Sequence, residues 1–158
     1  MDIEPSIVLA CYEACSNHAG LVKQLHSIAG RRRRVLAIDD EEAILDGLRA
    51  NLEATRRYKV CTVIDPTKAL EAALEFEPDI ILIDVMMPEK HGIDLLNELR
   101  SNESLRGIPA IMVTALADQL EAGGVAKDGV LYLSKPVSMK KLIYCIEEHV
   151  HVGSSDFR

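Results

Sequence analysis

The sequence lacks a long hydrophobic run, a basic excess and any CxxC or finger-type cysteine spacing, and each absence removes a class of function. No uninterrupted apolar segment in its 158 residues is long enough to cross a bilayer, so no membrane association is expected. The opening stretch MDIEPSIVLACYEACSNHAG is acidic where a secretion signal is basic, and polar groups interrupt it, so the expected location is the cytoplasm. Lys and Arg number 18 against 25 Asp and Glu, a formal net charge of −7. Such a chain carries no overall positive field, and no nucleic-acid partner is expected. The one basic cluster, Arg31 to Arg34, is short and abuts an expected strand, which reads as a solvated lead-in or hinge. The four cysteines (Cys11, Cys15, Cys61 and Cys145) have neither CxxC nor finger spacing, which suits reduced structural thiols. Cys61 and Cys145 fall within apolar patterns and are expected in the core.

What is present is a serial pattern. The length allows one domain with a real core plus a modest appendage. From Val35 short apolar runs alternate with amphipathic stretches. VLAI (35–38) reads as a strand, and Glu42 to Thr55 as a helix with Ile44, Leu45, Leu48 and Leu52 inward. YKVCTVI (58–64) is a second strand, after which Asp65-Pro66 opens a helix with acid at the cap and proline in the first turn. IILI (80–83) is the third strand, followed by the helical stretch HGIDLLNELRSN with Ile93, Leu96 and Leu99 in phase. IPAIMVTA (108–115) and VLYLS (130–134) are the fourth and fifth strands, and MKKLIYCIEEHV (139–150) is the last helix, before a frayed end. Five β–α units in series predict a doubly wound α/β fold, a parallel sheet covered by helices on both faces. In that fold ligands sit beyond the carboxyl ends of the strands.

Those ends carry the polar residues that stand out. Four apolar residues, Ile80 to Ile83, run straight into Asp84. A carboxylate at the end of a buried strand is expensive unless something pairs with it. Asp39 and Asp40 follow the first strand, Thr114 closes the fourth, and Lys135 follows the fifth. In a parallel sheet these ends point one way, so loops distant in sequence converge on one crevice. Carboxylates packed there repel by about 4 kcal/mol per pair at 4 Å and an effective dielectric near 20. A hard divalent cation with oxygen ligands removes that cost, and a site keeping several waters favours Mg²⁺. Lys135 adds a fixed cation and Thr114 a hydroxyl donor. Carboxylate, metal, ammonium and hydroxyl are the parts that place and stabilise a phosphoryl group. Taken singly, each residue has a plainer use. Asp39 and Asp40 can cap the following helix, Thr114 and Tyr132 can be ordinary strand residues, and Met86 and Met87 can be packing or loop residues. Glu41 and Glu42 read as first-turn helix residues, and His91 as a solvated one.

Taken together, VLAIDDEE, IILIDVMMP, IMVTA and YLSKP resemble the receiver domain of two-component response regulators, the fold of the bacterial chemotaxis regulator. The resemblance covers about Arg34 to Val150 and implies a flavodoxin-like (βα)5 fold with strand order 2-1-3-4-5. It divides the chain into an N-terminal helical extension with a basic linker (1–33), a receiver (34–150) and a flexible tail (151–158). Asp84 resembles the phospho-acceptor, Asp40 a direct Mg²⁺ ligand, Asp39 a ligand acting through water, and Met86 the residue whose backbone carbonyl completes the set. Thr114 resembles the switch hydroxyl, Tyr132 the aromatic that swings inward on activation, and Lys135-Pro136 the pair joined by a cis peptide. The implied partners are a histidine kinase or histidine phosphotransfer protein upstream and an unidentified protein downstream. Catalysis is expected only on the domain itself, its own phosphorylation and dephosphorylation.

Two segments depart from or lie outside the resemblance. Gly123-Gly124 interrupts the helical pattern between Thr114 and Lys135 at about 1 kcal/mol per glycine relative to alanine, so a short or mobile helix is expected there. Residues 6–28 can form an amphipathic helix with Val8, Cys11, Cys15, Val22 and Leu25 on one stripe, suited to docking or to a homodimer. Cys11, Cys15 and His18 on that stripe also have a spacing that can offer metal ligands. The eight residues after Val150 cannot make an output domain, which leaves a stand-alone receiver as the leading reading. A receiver cut from a longer regulator is the alternative. An aspartyl-phosphate phosphatase or phosphotransferase is a third; such enzymes commonly carry a second aspartate two residues after the nucleophile, where this chain has Met86.

Overall fold

A computed structural model describes residues 31–115 and 130–152. The helix expected over 6–28, the segment containing Gly123-Gly124 and the C-terminal tail lie outside the described residues. In chain order the elements are β1 (Arg33–Ile38), α1 (Glu42–Ala54), β2 (Tyr58–Val63), a 3-10 turn (Pro66–Lys68), α2 (Ala69–Phe76), β3 (Ile80–Asp84), α3 (Gly92–Ser101), β4 (Ala110–Thr114), β5 (Leu131–Ser134) and α4 (Met139–Val152). The five strands form one parallel sheet in the order β2-β1-β3-β4-β5. This is the flavodoxin-like arrangement expected.

Strand alternation builds two cores, one on each face of the sheet. Leu36, Ile38, Ile81, Ile83 and Met112 point to the side covered by α2 and α3, where they meet Ala69, Ala73, Leu95, Leu96 and Leu99. Val35, Ala37, Ile80, Leu82 and Ile111 point to the side covered by α1 and α4, against Leu45, Leu52, Leu142 and Ile146. Each fully buried aliphatic side chain contributes about 1.5–3 kcal/mol relative to exposure. Because both faces are covered, the central strand β3 is buried at all five residues, which is why its sequence reads as a continuous apolar run.

The helical periodicity misplaces two residues. Ile44 and Ile93, expected inward, are 38% and 47% exposed. Both lie in the first turn of their helices, and the inward stripe runs instead through Leu45 and Leu52 in α1 and through Leu95, Leu96 and Leu99 in α3. Cys145 is buried as expected, but Cys61, on the edge strand β2, is only partly so. Burial raises the pKa of both thiols, which disfavours the reactive thiolate.

Element ends shift as well. β1 starts at Arg33, two residues early, so the basic cluster is only half a solvated lead-in. Arg33 bonds Glu147 of α4, and Arg34 sits 3.1 Å from Glu77, while Arg31 and Arg32 are exposed. β4 is shorter than expected, since Ile108 is engaged in a turn with Leu105. The helix expected from Asp65-Pro66 begins as a 3-10 turn, in which the Asp65 carboxylate accepts from the Thr67 amide at 3.0 Å.

Gly47 is in the middle of α1 with no atom within 4 Å of where a Cβ would stand. Gly47→Ala should therefore raise unfolding free energy by about 1 kcal/mol through helix propensity alone, measurable by urea denaturation. A lower stability would show that the methyl group is not accommodated at this place on α1.

Candidate functional site

The sheet places the site by its direction. Asp39 extends β1, its amide donating to the Val63 carbonyl at 3.2 Å, and Asp84 is the last residue of β3. Carboxylate oxygens of Asp39, Asp40 and Asp84 lie within 4.8 Å of one another. Asp39 and Asp84 are each 5% exposed. Lys135, just beyond β5, reaches across: its Nζ donates to Asp39 Oδ2 at 2.7 Å and stands 3.2 Å from Asp84 Oδ1. Its backbone amide donates to the Thr114 carbonyl at 2.8 Å, which ties the lysine to the end of β4. The Lys135-Pro136 peptide is cis, as the resemblance implied.

The electrostatics follow from this crowding. Burial pushes the Asp84 carboxyl above its ordinary value. The ammonium of Lys135 opposes that rise, and the charges of Asp39 and Asp40 add to it. Burial alone would lower the Lys135 pKa, but hydrogen bonding and charge from Asp39, then Asp84, raise it. The lysine is thus held charged, and this one cation stands beside the clustered carboxylates of Asp39, Asp40 and Asp84 and that of Glu41. The remaining negative charge, carried on hard oxygen donors, suits a divalent cation such as Mg²⁺.

Thr114, at the end of β4, is 2% exposed. Tyr132 is half-buried on β5, beside Met112 in register, and packs against the core on the α2–α3 side. Met86 lies two residues beyond Asp84 with its side chain 49% exposed, whereas Met87 is buried. His91 is exposed at the N-cap of α3. The structure thus brings Asp39, Asp40, Asp84 and Lys135 into one cluster and places Thr114 beside it in sequence register with Ser134.

Two features escaped the sequence reading. Glu41, expected as a first-turn helix residue, puts its carboxylate 3.8 Å from Lys135, and its amide donates to Asp39 Oδ1 at 2.9 Å. Its position two residues after Asp39, where a local turn can form, was the available signal. A cavity of about 510 Å³ also opens from the cluster between α1 and α4, lined by Ala43, Leu48, Leu82, Val137 and Leu142 with Lys135 at its polar end. No sequence signal marks it, because its walls come from separate elements.

Comparison with known proteins agrees with this geometry. The sequence model of the family described as "Response regulator receiver domain" matches residues 35–147. The polar-differentiation response regulator DivK of Brucella ovis is 32% identical over 119 residues, 75% of this chain and 96% of that protein. The receiver domain of sensor histidine kinase PA1611 from Pseudomonas aeruginosa PAO1, solved with a magnesium ion coordinated in the active-site cleft, is 27% identical with a TM-score of 0.66. The match covers 77% of this chain and all but 1% of that one, 99%. Chemotaxis protein CheY4 of Vibrio cholerae is 26% identical with a TM-score of 0.65, over 75% of this chain and 99% of that one.

Proposed function

Because this chain belongs to the response regulator receiver family, we propose that Asp84 is its phospho-acceptor, taking a phosphoryl group from a phosphohistidine on a kinase or phosphotransfer protein. The observation that carries this reading is the placement of a buried carboxylate at the end of the central strand, 3.2 Å from the Lys135 ammonium and clustered with two further carboxylates. A carboxylate oxygen of Asp84 attacks phosphorus, the P–N bond breaks, and the imidazole leaves with the electron pair. The product is an acyl phosphate.

Asp40 and Asp84 would hold Mg²⁺ directly, Asp39 through water, and the Met86 carbonyl would complete the set. When bound, the cation neutralises charge on the carboxylates and on the transferring oxygens. Lys135 then gives up one of its carboxylate contacts to meet a phosphoryl oxygen, contributing electrostatic stabilisation from a position already organised by Asp39. Thr114 offers its hydroxyl to the new anion, and Tyr132 repacks behind it, so occupancy at Asp84 is read out at the β4 and β5 side of the domain. The lasting product is a changed surface recognised by a partner protein, and turnover is confined to Asp84 itself.

Incubation with Mg²⁺ and a small acyl phosphate should add one phosphoryl group, detected by intact mass and mapped by peptide analysis to Asp84. Mapping to any other residue would overturn the assignment. A second reading, a receiver carried within a longer signalling protein, is favoured by the likeness to a receiver that is itself part of a sensor histidine kinase. The same chemistry would serve there, with the readout passed within one chain.

A further inference from the structure

We propose that Gly92 is a positioning residue for phosphoryl transfer, required because a side chain at that place would collide with the backbone of the phospho-acceptor. A Cβ built on Gly92 would stand 2.2 Å from the Asp84 carbonyl oxygen, 3.0 Å from its carbonyl carbon and 3.0 Å from Cε of Met112. The φ of Gly92 is not in the left-handed region, and the residue opens α3 in ordinary helical geometry. Glycine is therefore needed for space, not for a dihedral angle.

The space is tied to the site on both sides. The Gly92 amide donates to the Val85 carbonyl at 3.0 Å, and the Val85 amide donates to the Val113 carbonyl of β4 at 2.9 Å. Val85 is the residue between Asp84 and Met86. One hydrogen bond from Gly92 thus holds the peptide linking the two positions proposed to give a carboxylate and a carbonyl to the cation. Met112 is fully buried, but its terminal methyl is the end of a flexible side chain and can turn aside. The Asp84 carbonyl is main chain and cannot move without taking its carboxylate with it. Any side chain at residue 92 therefore has to part α3 from the end of β3, stretching the bond to Val85 and displacing Asp84 relative to Asp39 and Asp40.

This inference rests on the reading of Asp84 as phospho-acceptor, and the test separates the two. Gly92→Ala is placed in the Gly47→Ala background, which guards the fold, and compared with Gly47→Ala alone. Folding is checked by circular dichroism and thermal melting, Mg²⁺ affinity by calorimetry, and phosphorylation by the rate of acyl-phosphate labelling. The expected result is a folded protein whose Mg²⁺ dissociation constant rises about tenfold or more, the scale seen when the support of a metal site is disturbed, with labelling slowed at saturating Mg²⁺. Adding Met112→Leu, which removes the crowded terminal methyl, should not restore either quantity. Parental Mg²⁺ affinity and labelling in folded Gly92→Ala would overturn the proposal, as would full restoration by Met112→Leu, which would reduce the effect to side-chain packing. If Gly92→Ala does not fold even in this background, amide chemical shifts of a milder Met112→Leu/Gly92→Ala protein decide it: unshifted Val85 and Met86 would overturn the idea. A Gly47→Ala parent that labels nowhere would instead sink the reading of Asp84, while the Mg²⁺ affinities still judge Gly92.

Discussion

Asp84→Asn should take up no phosphoryl group from an acyl phosphate, while remaining folded. The amide has nearly the shape of the carboxylate but no anionic oxygen to attack phosphorus. In Mg²⁺-free buffer the same variant should be more stable than the parent. Burial and the nearby Asp39 and Asp40 charges raise the Asp84 pKa despite Lys135, so its ionised form weakens the fold. The sign follows: a carboxyl whose folded pKa is raised contributes stability that is present below about pH 3.8 and is lost as pH rises through the folded value. Asn removes that loss, and thermal melts at neutral pH with chelator should show a higher Tm for the variant. Saturating Mg²⁺ should reverse the order, stabilising the parent more than Asp84→Asn. Undiminished labelling of Asp84→Asn would refute the assignment, and a lower Tm without Mg²⁺ would refute the electrostatic account. Lys135→Ala should keep Mg²⁺ binding but slow labelling, since it removes the cation beside Asp84 that is proposed to meet the transferring oxygens.

Tyr58→Ala should cost about 3–5 kcal/mol of unfolding free energy, the range for truncating a buried aromatic. Tyr58, at the start of β2, is the largest fully buried side chain among the described residues, and it packs in the core between the sheet, α1 and α4. Its hydroxyl donates to Glu147 of α4, which also receives Arg33 of β1 and lies 3.8 Å from Arg57. Tyr58→Phe keeps the ring and removes that one donor to an ion-paired carboxylate, so it should cost about 1.5–3 kcal/mol, the range for a hydrogen bond to a charged group. A Phe variant as unstable as the Ala variant would mean that the polar contact, not the ring, holds α4 against the sheet.

Alkaline titration gives an independent check on the same residue. Burial raises the Tyr58 phenol above its ordinary value of 10.0, against the lowering effect of Arg57 and Arg33. A raised folded pKa means that stability present below pH 10.0 is lost as pH climbs toward the folded value. The parent should therefore lose stability across that interval faster than Tyr58→Phe, which has no phenol to ionise. Parallel curves would show that the phenol titrates alike in folded and unfolded chains.

The strands and the site were legible in the sequence for one shared reason. A parallel strand covered on both faces must be apolar throughout, so IILI announces itself and makes the following Asp84 conspicuous. Once the elements read as β–α units in series, chirality and parallel pairing force the strand ends to one edge. That alone predicts that Asp39, Asp40, Asp84 and Lys135 meet, and the four side chains do cluster there.

Helix faces were read less well. Periodicity places Ile44 and Ile93 in the apolar stripe, yet the first turns of α1 and α3 leave those two residues partly exposed. An apolar residue at a helix start carries the same sequence signal whether or not a neighbour covers it. Part of the basic cluster shows the same limit: Arg33 has the pattern of a charged linker, yet Glu147, 114 residues later, receives it.

By itself, then, the sequence determined which residues lie at strand ends, because pattern and order along the chain carry that information. Only the tertiary structure decided what meets across elements: Glu41 near Lys135, Tyr58 on Glu147, and the Gly92 backbone against the carbonyl of Asp84. Those meetings depend on how closely segments approach whose sequences carry no trace of one another. Periodicity reports the side of an element that is buried, but packing alone selects the atoms that share the space.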